Sequence, residues 1–323
     1  MNVLITGGAG FIGSNLASYH LNRGDSVIVV DDLSTGSLDN INSMIKHPSF
    51  RFYNKNLLKW RGLSTVLSTS NIDRIYHFAA VVGMFHVIEH PIDTLDVNSN
   101  STLRLFEAIN KLNLKPLVLV ASSSEVYGNQ HIALSETSPL ILEGSLTSHA
   151  AYAISKLAQE SIALAFWHKY EVPCIVLRIF NTVGRNQRGR YGMVIPRLIN
   201  QALANEDITV FGDGTQRRAF CNVKDSVNLI NLLAENPHSI GQIVNVGNAE
   251  ELNINTLAQL IKQISASPSS IVHIPFEEVY KNDVMTITER RPDLTKLISL
   301  THYTHQWAIE KTLSDIISYK KQN

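Results

Sequence analysis

An alternation in the first half of the chain restricts the fold more than any other feature. Five short runs, at 2–6, 26–31, 74–78, 117–122 and 173–179, are almost continuously apolar and rich in Val, Ile and Leu. A strand that is apolar on both sides has no face to offer water, so such runs suit a parallel sheet covered on both faces. Amphipathic stretches separate them. In 101–112, for example, Leu105, Phe106, Ile109 and Leu112 fall on one helical stripe. Alternation of this kind predicts βαβ units and an α/β, doubly wound sheet. At 323 residues the chain can bury a core without a disulfide or metal staple.

After Phe180 the rhythm changes. A polar stretch rich in Gly and Arg (181–192) leads to an expected helix at 194–204, a strand at 208–211 and a turn at Gly212-Asp213-Gly214. Further strands are expected at 218–225 and 242–247, returning toward the main sheet, and helices at 255–265 and 307–318. The expected organisation is a larger domain over 1–181, which segments near 218–247 rejoin. A smaller, interleaved α/β domain covers 182–323.

Several function classes are disfavoured at once. Lys plus Arg and Asp plus Glu each total 28, so the chain is formally neutral and lacks the footprint of a nucleic-acid or anionic-membrane binder. Cys174 and Cys221 are too few for a disulfide framework, and no histidine stands at a recognisable metal spacing. His86 and His90 lie four apart without a third ligand. No apolar run reaches membrane-span length, and the start lacks a signal-type core. A soluble, cytoplasmic protein is expected, with no metal. No Gly-x-Ser-x-Gly elbow supports hydrolase chemistry.

Thr6-Gly7-Gly8-Ala9-Gly10-Phe11-Ile12-Gly13 follows the first strand and opens a helix. Gly7, Gly10 and Gly13 allow a tight turn, close backbone approach to a pyrophosphate and close helix–strand packing. The helix N-terminus offers unpaired N–H groups and a partial positive charge to phosphates. Asp31 ends the second strand, where a carboxylate accepts hydrogen bonds from an adenine-ribose diol and repels a 2′-phosphate, favouring NAD over NADP. Asp32 can share that role. Arg51 and Lys55 are expected to be solvated surface.

Tyr152 and Lys156 stand four apart on a predicted helix, hence on one face. A nearby ammonium stabilises phenolate, and Lys156 is expected to lower the tyrosine pKa toward the range where it takes a proton from a sugar hydroxyl. Ser122-Ser123-Ser124-Glu125-Val126-Tyr127-Gly128 sits at the carboxyl end of the 117–122 run, where open α/β sheets place their sites. Ser123 or Ser124 can hydrogen-bond the reacting oxygen, and Glu125 can act as a base or position a water.

With these motifs the chain resembles the extended short-chain dehydrogenases/reductases of the NAD-dependent nucleotide-sugar epimerase/dehydratase family, Rossmann-type proteins. The resemblance runs through nearly the whole sequence. It includes Asp31-Asp32-Leu33-Ser34-Thr35-Gly36, His77-Phe78-Ala79-Ala80, Arg178-Ile179-Phe180-Asn181, Gly212 to Arg218 and Arg290-Arg291-Pro292-Asp293. It implies tightly held NAD, contacted also by Phe11, Ile12, Ser34, Thr35, Gly36, Phe78, Ala79, Ala80 and Ser122, with a 4-keto sugar intermediate. It implies a homodimer joined through the helices around 101–112 and 151–169. Asn181 and the stretch 191–196, including Val194, then meet the nucleotide-sugar, while Arg218 and Arg290 clasp diphosphate or sugar. Guanidinium forks suit paired oxygens. Arg185, Arg188 and Arg190 carry no assigned role.

Three outcomes follow from a 4-ketone: 4-epimerisation, 4,6-dehydration, or decarboxylation of a sugar with a C6 carboxylate. Dehydratases of this family typically carry Thr-Asp-Glu at positions matching 123–125, and Ser124 replaces that acid here. Simple 4-epimerases usually lack the glutamate. Ser-Ser-Glu is most similar to the Thr-Ser-Glu of UDP-glucuronic acid decarboxylases, whose C-terminal arginine Arg290 matches. The chain departs from the decarboxylase pattern at Ala80-Val81-Val82-Gly83-Met84, at Asn56, and at 147–151, where His149 is an unassigned pocket candidate. Decarboxylase leads, with 4-epimerase close behind and dehydratase third. A non-catalytic NAD-sensing protein on the same fold is the alternative class.

Overall fold

A computed structural model describes residues 1–130, 132–142, 148–187, 193–280 and 290–322. In chain order, β1 (Asn2–Thr6), α1 (Phe11–Asn22), β2 (Ser26–Asp31) and β3 (Phe50–Asn54) precede α2 (Leu63–Thr69) and β4 (Arg74–His77). Next come α3 (Met84–Glu89), α4 (Pro91–Lys111), β5 (Leu117–Ser123), β6 (Ala133–Leu134), α5 (Ser148–Tyr170), β7 (Cys174–Ile179) and β8 (Thr182–Val183). They are followed by α6 (Val194–Ala204), β9 (Ile208–Phe211), β10 (Arg217–Ala219), β11 (Cys221–Asn222), α7 (Val223–Glu235) and β12 (Ile243–Val246). The chain closes with β13 (Glu251–Asn253), α8 (Ile254–Ser265), β14 (Ile271–Ile274), α9 (Phe276–Tyr280), β15 (Arg291–Pro292), α10 (Thr295–Thr301) and α11 (Ile309–Gln322).

The main sheet has seven parallel strands in the order β12-β7-β5-β4-β1-β2-β3. The five expected strands form its centre, because alternate residues of each serve two cores. Val3, Ile5, Val29, Leu119 and Leu177 pack with Leu16 of α1 and Ile230 of α7. Leu4, Ile28, Val118, Val120 and Val176 pack with Leu67 of α2, Phe106 of α4 and Ala163 of α5. Fully burying each Val, Leu or Ile contributes roughly 1.5–3 kcal/mol, so a single polar substitution in these runs is costly on either face. A third core joins α6, α8 and α11 to β9 and β14 through Leu198, Ile208, Leu257 and Leu313.

Three local expectations change. Edge strand β3 was not anticipated, because exposed Arg51 and Asn54 interrupt its apolar run. Residues 218–225 do not form one strand. Only Arg217–Ala219 and Cys221–Asn222 are extended, and they pair with β13 and β8 rather than the main sheet. The Asn222 side chain accepts from the Lys224 N–H and starts α7, so a helix cap overrides the β-branched pattern there. The return to the main sheet is made by β12 alone, which aligns Ile243 with Val176. Sheet order reverses between β1 and β4, and the crevice at such a switch point is where open α/β sheets bind ligands.

Candidate active site

The glycine turn folds tightly beneath that crevice. The Gly7 N–H donates to the Val30 carbonyl at 2.9 Å and the Gly10 N–H to the Gly7 carbonyl at 3.1 Å. Gly7 has φ +70°, and a Cβ there would lie 2.6 Å from the Ala79 nitrogen; a Cβ on Gly13 would collide with the Gly7 carbonyl. Gly10 starts α1 without a side-chain cap, and no acid stands in its first turn. Gly7, Gly10, Phe11, Ile12 and Gly13 line the cavity above. A helix start with uncapped N–H donors and no acid in its first turn is what a pyrophosphate needs, so these residues fit the dinucleotide.

Asp31 does more than wait for a ribose. Its buried carboxylate accepts the Ala9 N–H at 2.9 Å and the Leu33 N–H at 2.8 Å, so it ties the glycine turn to the end of β2. Burial raises its pKa while these two N–H groups pull it down. Asp32 accepts the Ser34 N–H at 3.0 Å and the Asn56 amide at 2.7 Å. Asn56 thus holds Asp32 instead of supplying an acid of its own. Asp32, Ser34 and Thr35 line the cavity; Gly36 does not, and a Cβ there would press on Asp31 and Ala9. Lys55, expected on solvated surface, is exposed but stands at the cavity rim.

The other end of the cavity carries the titratable groups. Ser123, at the end of β5, accepts the Glu125 N–H at 3.2 Å and hydrogen-bonds the Tyr152 phenol. Ser124 is buried in the turn behind it. One helical turn beyond Tyr152, the Lys156 ammonium donates to the Ala121 carbonyl at 2.8 Å and lies 5.7 Å from the Tyr152 ring centre. Burial pushes Lys156 down to about 7, with the Glu160 carboxylate partly opposing that fall. Burial also pushes the Tyr152 phenol up; the Glu125 charge adds to the rise and the Ser123 hydroxyl counters it. Where Lys156 was expected to bring the phenol down, burial instead raises it overall, and the Ser123 hydroxyl counters that rise.

Glu160 sits beneath this group. It accepts the Ser122 hydroxyl at 2.5 Å and two bonds from the Arg178 guanidinium at 2.9 and 2.8 Å. Arg290 forms an ion pair with Glu125, although 165 residues separate them in sequence. Arg290 is only 5% exposed, and its Nε and Nη2 have no hydrogen-bond partner among the described residues. Two buried guanidinium donors beside a cavity call for an acceptor from outside the chain.

Among the described residues, every cofactor, substrate and catalytic candidate named individually from the sequence except Gly36 lines a single cavity of about 560 Å³. Phe78, Ala79 and Ala80 follow the end of β4 and Ser122 lies in β5, while Asn181, Val194, Arg218 and Arg290 also line the cavity. Val81, Val82 and Gly83 line it too, as an apolar stretch. Sequence reasoning missed Gln187 and Gln216, whose side-chain N–H groups bond the Thr182 and Phe211 carbonyls and leave each amide oxygen buried without a partner among the described residues. Gln216 stands inside the Gly212 to Arg218 motif, so its position was visible but its acceptor was not. Arg185 is a bidentate partner of Asp315, outside the cavity. Arg188, Arg190, Tyr191, Gly192 and the His149 side chain lie outside the described residues. Both cysteines are buried and free, and no group of potential metal ligands occurs among the described residues.

Comparison with known proteins agrees with this geometry. The profile of the NAD dependent epimerase/dehydratase family matches residues 3–247. A UDP-N-acetyl-alpha-D-glucosaminuronate decarboxylase of Bacillus cytotoxicus is 33% identical over 323 residues, covering 99% of this chain and 97% of its own. UDP-glucuronic acid decarboxylase 1 of Danio rerio is 34% identical over 318 residues, 98% of this chain and 72% of its own. The crystal structure of a UDP-glucuronic acid 4-epimerase from Bacillus cereus, in complex with UDP-glucuronic acid and NAD, superimposes with a TM-score of 0.88 at 28% identity. It covers 100% of this chain and 99% of that one.

Proposed function

Because this chain belongs to the NAD dependent epimerase/dehydratase family, we propose that it decarboxylates a UDP-hexuronate through a 4-keto sugar. The carrying observation is the Glu125–Arg290 pair, which sets two unpartnered guanidinium donors in the same cavity as Tyr152 and Ser123. A carboxylate is the acceptor that such a fork matches best. The full-length similarity to two decarboxylases of sugar acids supports the same choice.

The glycine turn, Asp31, Asp32, Ser34, Thr35 and Phe78 to Ala80 would hold NAD, with Lys156 at the nicotinamide end. When bound, the nicotinamide supplies a reversible acceptor for hydride from the sugar C4. Tyr152 takes the 4-hydroxyl proton, and Ser123 orients the oxygen as it becomes a carbonyl. The ketone makes the C6 carboxylate a β-keto acid. The C5–C6 bond breaks, CO2 leaves, and the bonding pair passes into the enolate of the 4-ketone. Arg290 orients the carboxylate before cleavage, and Glu125 is positioned to manage the proton that C5 then gains. Asn181 and Val194 would meet the nucleotide-sugar and Arg218 would clasp its diphosphate, Val194 and Arg218 coming from the nucleotide-sugar-binding residues 182–323.

We further propose a homodimer through α4 and α5. It is supported by exposed Ile92 and Leu95 on α4, and sedimentation of the purified protein tests it. No helix among the described residues is long and apolar enough to cross a membrane, which is compatible with a cytoplasmic location.

The reaction is tested by incubating the protein with UDP-glucuronate, UDP-N-acetylglucosaminuronate, UDP-glucose and dTDP-glucose, and reading products by mass and NMR. Loss of CO2 from an acidic substrate is expected. Unchanged mass with inverted C4 would replace this reading with 4-epimerisation. Loss of water from a neutral sugar would replace it with dehydration.

A further inference from the structure

Asn245 lies in β12, is wholly buried and does not line the cavity. Its side chain nevertheless touches both segments that deliver the Glu125–Arg290 pair. The Oδ1 atom accepts the Tyr127 hydroxyl at 2.6 Å. Tyr127 ends the single turn Ser124–Tyr127 that carries Glu125. The Nδ2 atom donates to the Leu134 carbonyl at 2.8 Å and to the Asp293 carbonyl at 3.2 Å. Leu134 ends β6, and Asp293 directly follows its partner β15, which begins one residue after Arg290. The backbone N–H of Asn245 donates to Glu136, in the same loop as β6.

We propose that Asn245 is a positioning residue: by joining the Tyr127 turn to the β6–β15 pair, it sets where Glu125 and Arg290 meet. This rests on the role given to that pair in the proposed reaction. Only a carboxamide can accept from a phenol and donate two N–H groups from one plane. An aspartate would face two carbonyl oxygens, and a leucine would leave the phenol and both carbonyls unmet.

The surroundings make the clamp stiff. The Arg178 guanidinium stacks 4.7 Å over the Tyr127 ring and is itself held by Glu160. Arg290, by contrast, has two donors without partners among the described residues, where Glu125 pairs with its side chain and the β6–β15 pairing fixes the backbone that follows it. Releasing Asn245 is therefore expected to shift Arg290 and the Glu125 turn, at the opposite end of the cavity from the glycine turn.

The test is a double-mutant cycle in the full-length holoprotein, using the sugar acid that it converts. Asn245→Asp and Arg290→Lys are each expected to lower kcat about tenfold or more, because small displacements of an orienting group cost that much. KM should change by less than about threefold, and bound NAD should be unchanged. The double variant should be no slower than the slower single variant, since both changes act on one pair. Multiplicative losses would overturn the proposal, as would Asn245→Asp losing NAD in proportion to turnover. If Arg290→Lys keeps full turnover, the role assigned to the pair falls and the clamp with it. If Arg290→Lys is slow while Asn245→Asp is not, the clamp alone falls. Tyr127→Phe removes only the phenol bond and carries the same cycle if Asn245→Asp does not fold.

Discussion

Replacing Lys156 by methionine should stabilise this protein while inactivating it. The side chain is 2% exposed, has one hydrogen bond to the Ala121 carbonyl, and is pushed by burial from 10.5 to about 7. At about 1.4 kcal/mol for each tenfold change in proton affinity, that fall corresponds to about 5 kcal/mol, of which about 1 kcal/mol returns as the cost of stranding the Ala121 carbonyl. The sign follows from proton counting. Between pH 7 and 10.5 the unfolded chain holds the lysine proton and the folded chain has released it. Stability therefore rises with pH across that window, and below about 7 the cost of the buried charge is fully present. Methionine carries no proton, so the advantage of the variant is largest in mild acid and fades toward pH 10. At about 2 °C per kcal/mol for a chain of this size, the melting temperature near pH 6 should rise by roughly 5–10 °C. Thermal melts of both proteins near pH 6, 8 and 10 read this directly. A difference that ignores pH, or a variant less stable near pH 6, would refute the argument that burial of the ammonium dominates.

Other substitutions separate the remaining roles. Tyr152→Phe removes the proton acceptor and its bond to Ser123 while keeping the ring, so turnover should fall by about a hundredfold or more while NAD still raises the melting temperature; surviving activity would move the base elsewhere. His77 is pushed down to about 3 by burial and bonds Thr6 and Thr102 as a neutral ring. Between pH 6.5 and 3 the unfolded chain binds the extra proton, so stability falls with acid across that window, and His77→Gln should flatten the acid limb in melts taken from about pH 6.5 to 4. Asp31→Asn turns one acceptor of the Ala9 and Leu33 N–H groups into a donor; NAD affinity measured by fluorescence titration should fall by about tenfold, with NADP losing less.

The centre of the fold was legible because periodicity reports burial. Val3 to Ile5 and Val118 to Val120 are apolar on both sides and are buried on both sides. The cavity ends were legible for a related reason: glycines, acids and the Tyr152–Lys156 pair sit at strand ends and on one helix face. What stayed hidden depends on contacts between distant segments. Nothing local in Glu125 announces Arg290, nothing in Asn245 announces Tyr127, and Lys156 could not be seen to choose a backbone carbonyl over the phenol. Residues 218–225 misled because Asn222 caps a helix whose first residues look like a strand. Edge strand β3 escaped because Arg51 faces water.

The most direct test of the central claim uses a UDP-hexuronate deuterated at C4. Transient oxidation at that carbon with return of the same hydrogen predicts a product lighter by CO2, with deuterium kept at C4 and a primary isotope effect on turnover. Stripping the dinucleotide should abolish the reaction and adding it back should restore it. Deuterium lost to solvent, or product formed equally well without the dinucleotide, would contradict it.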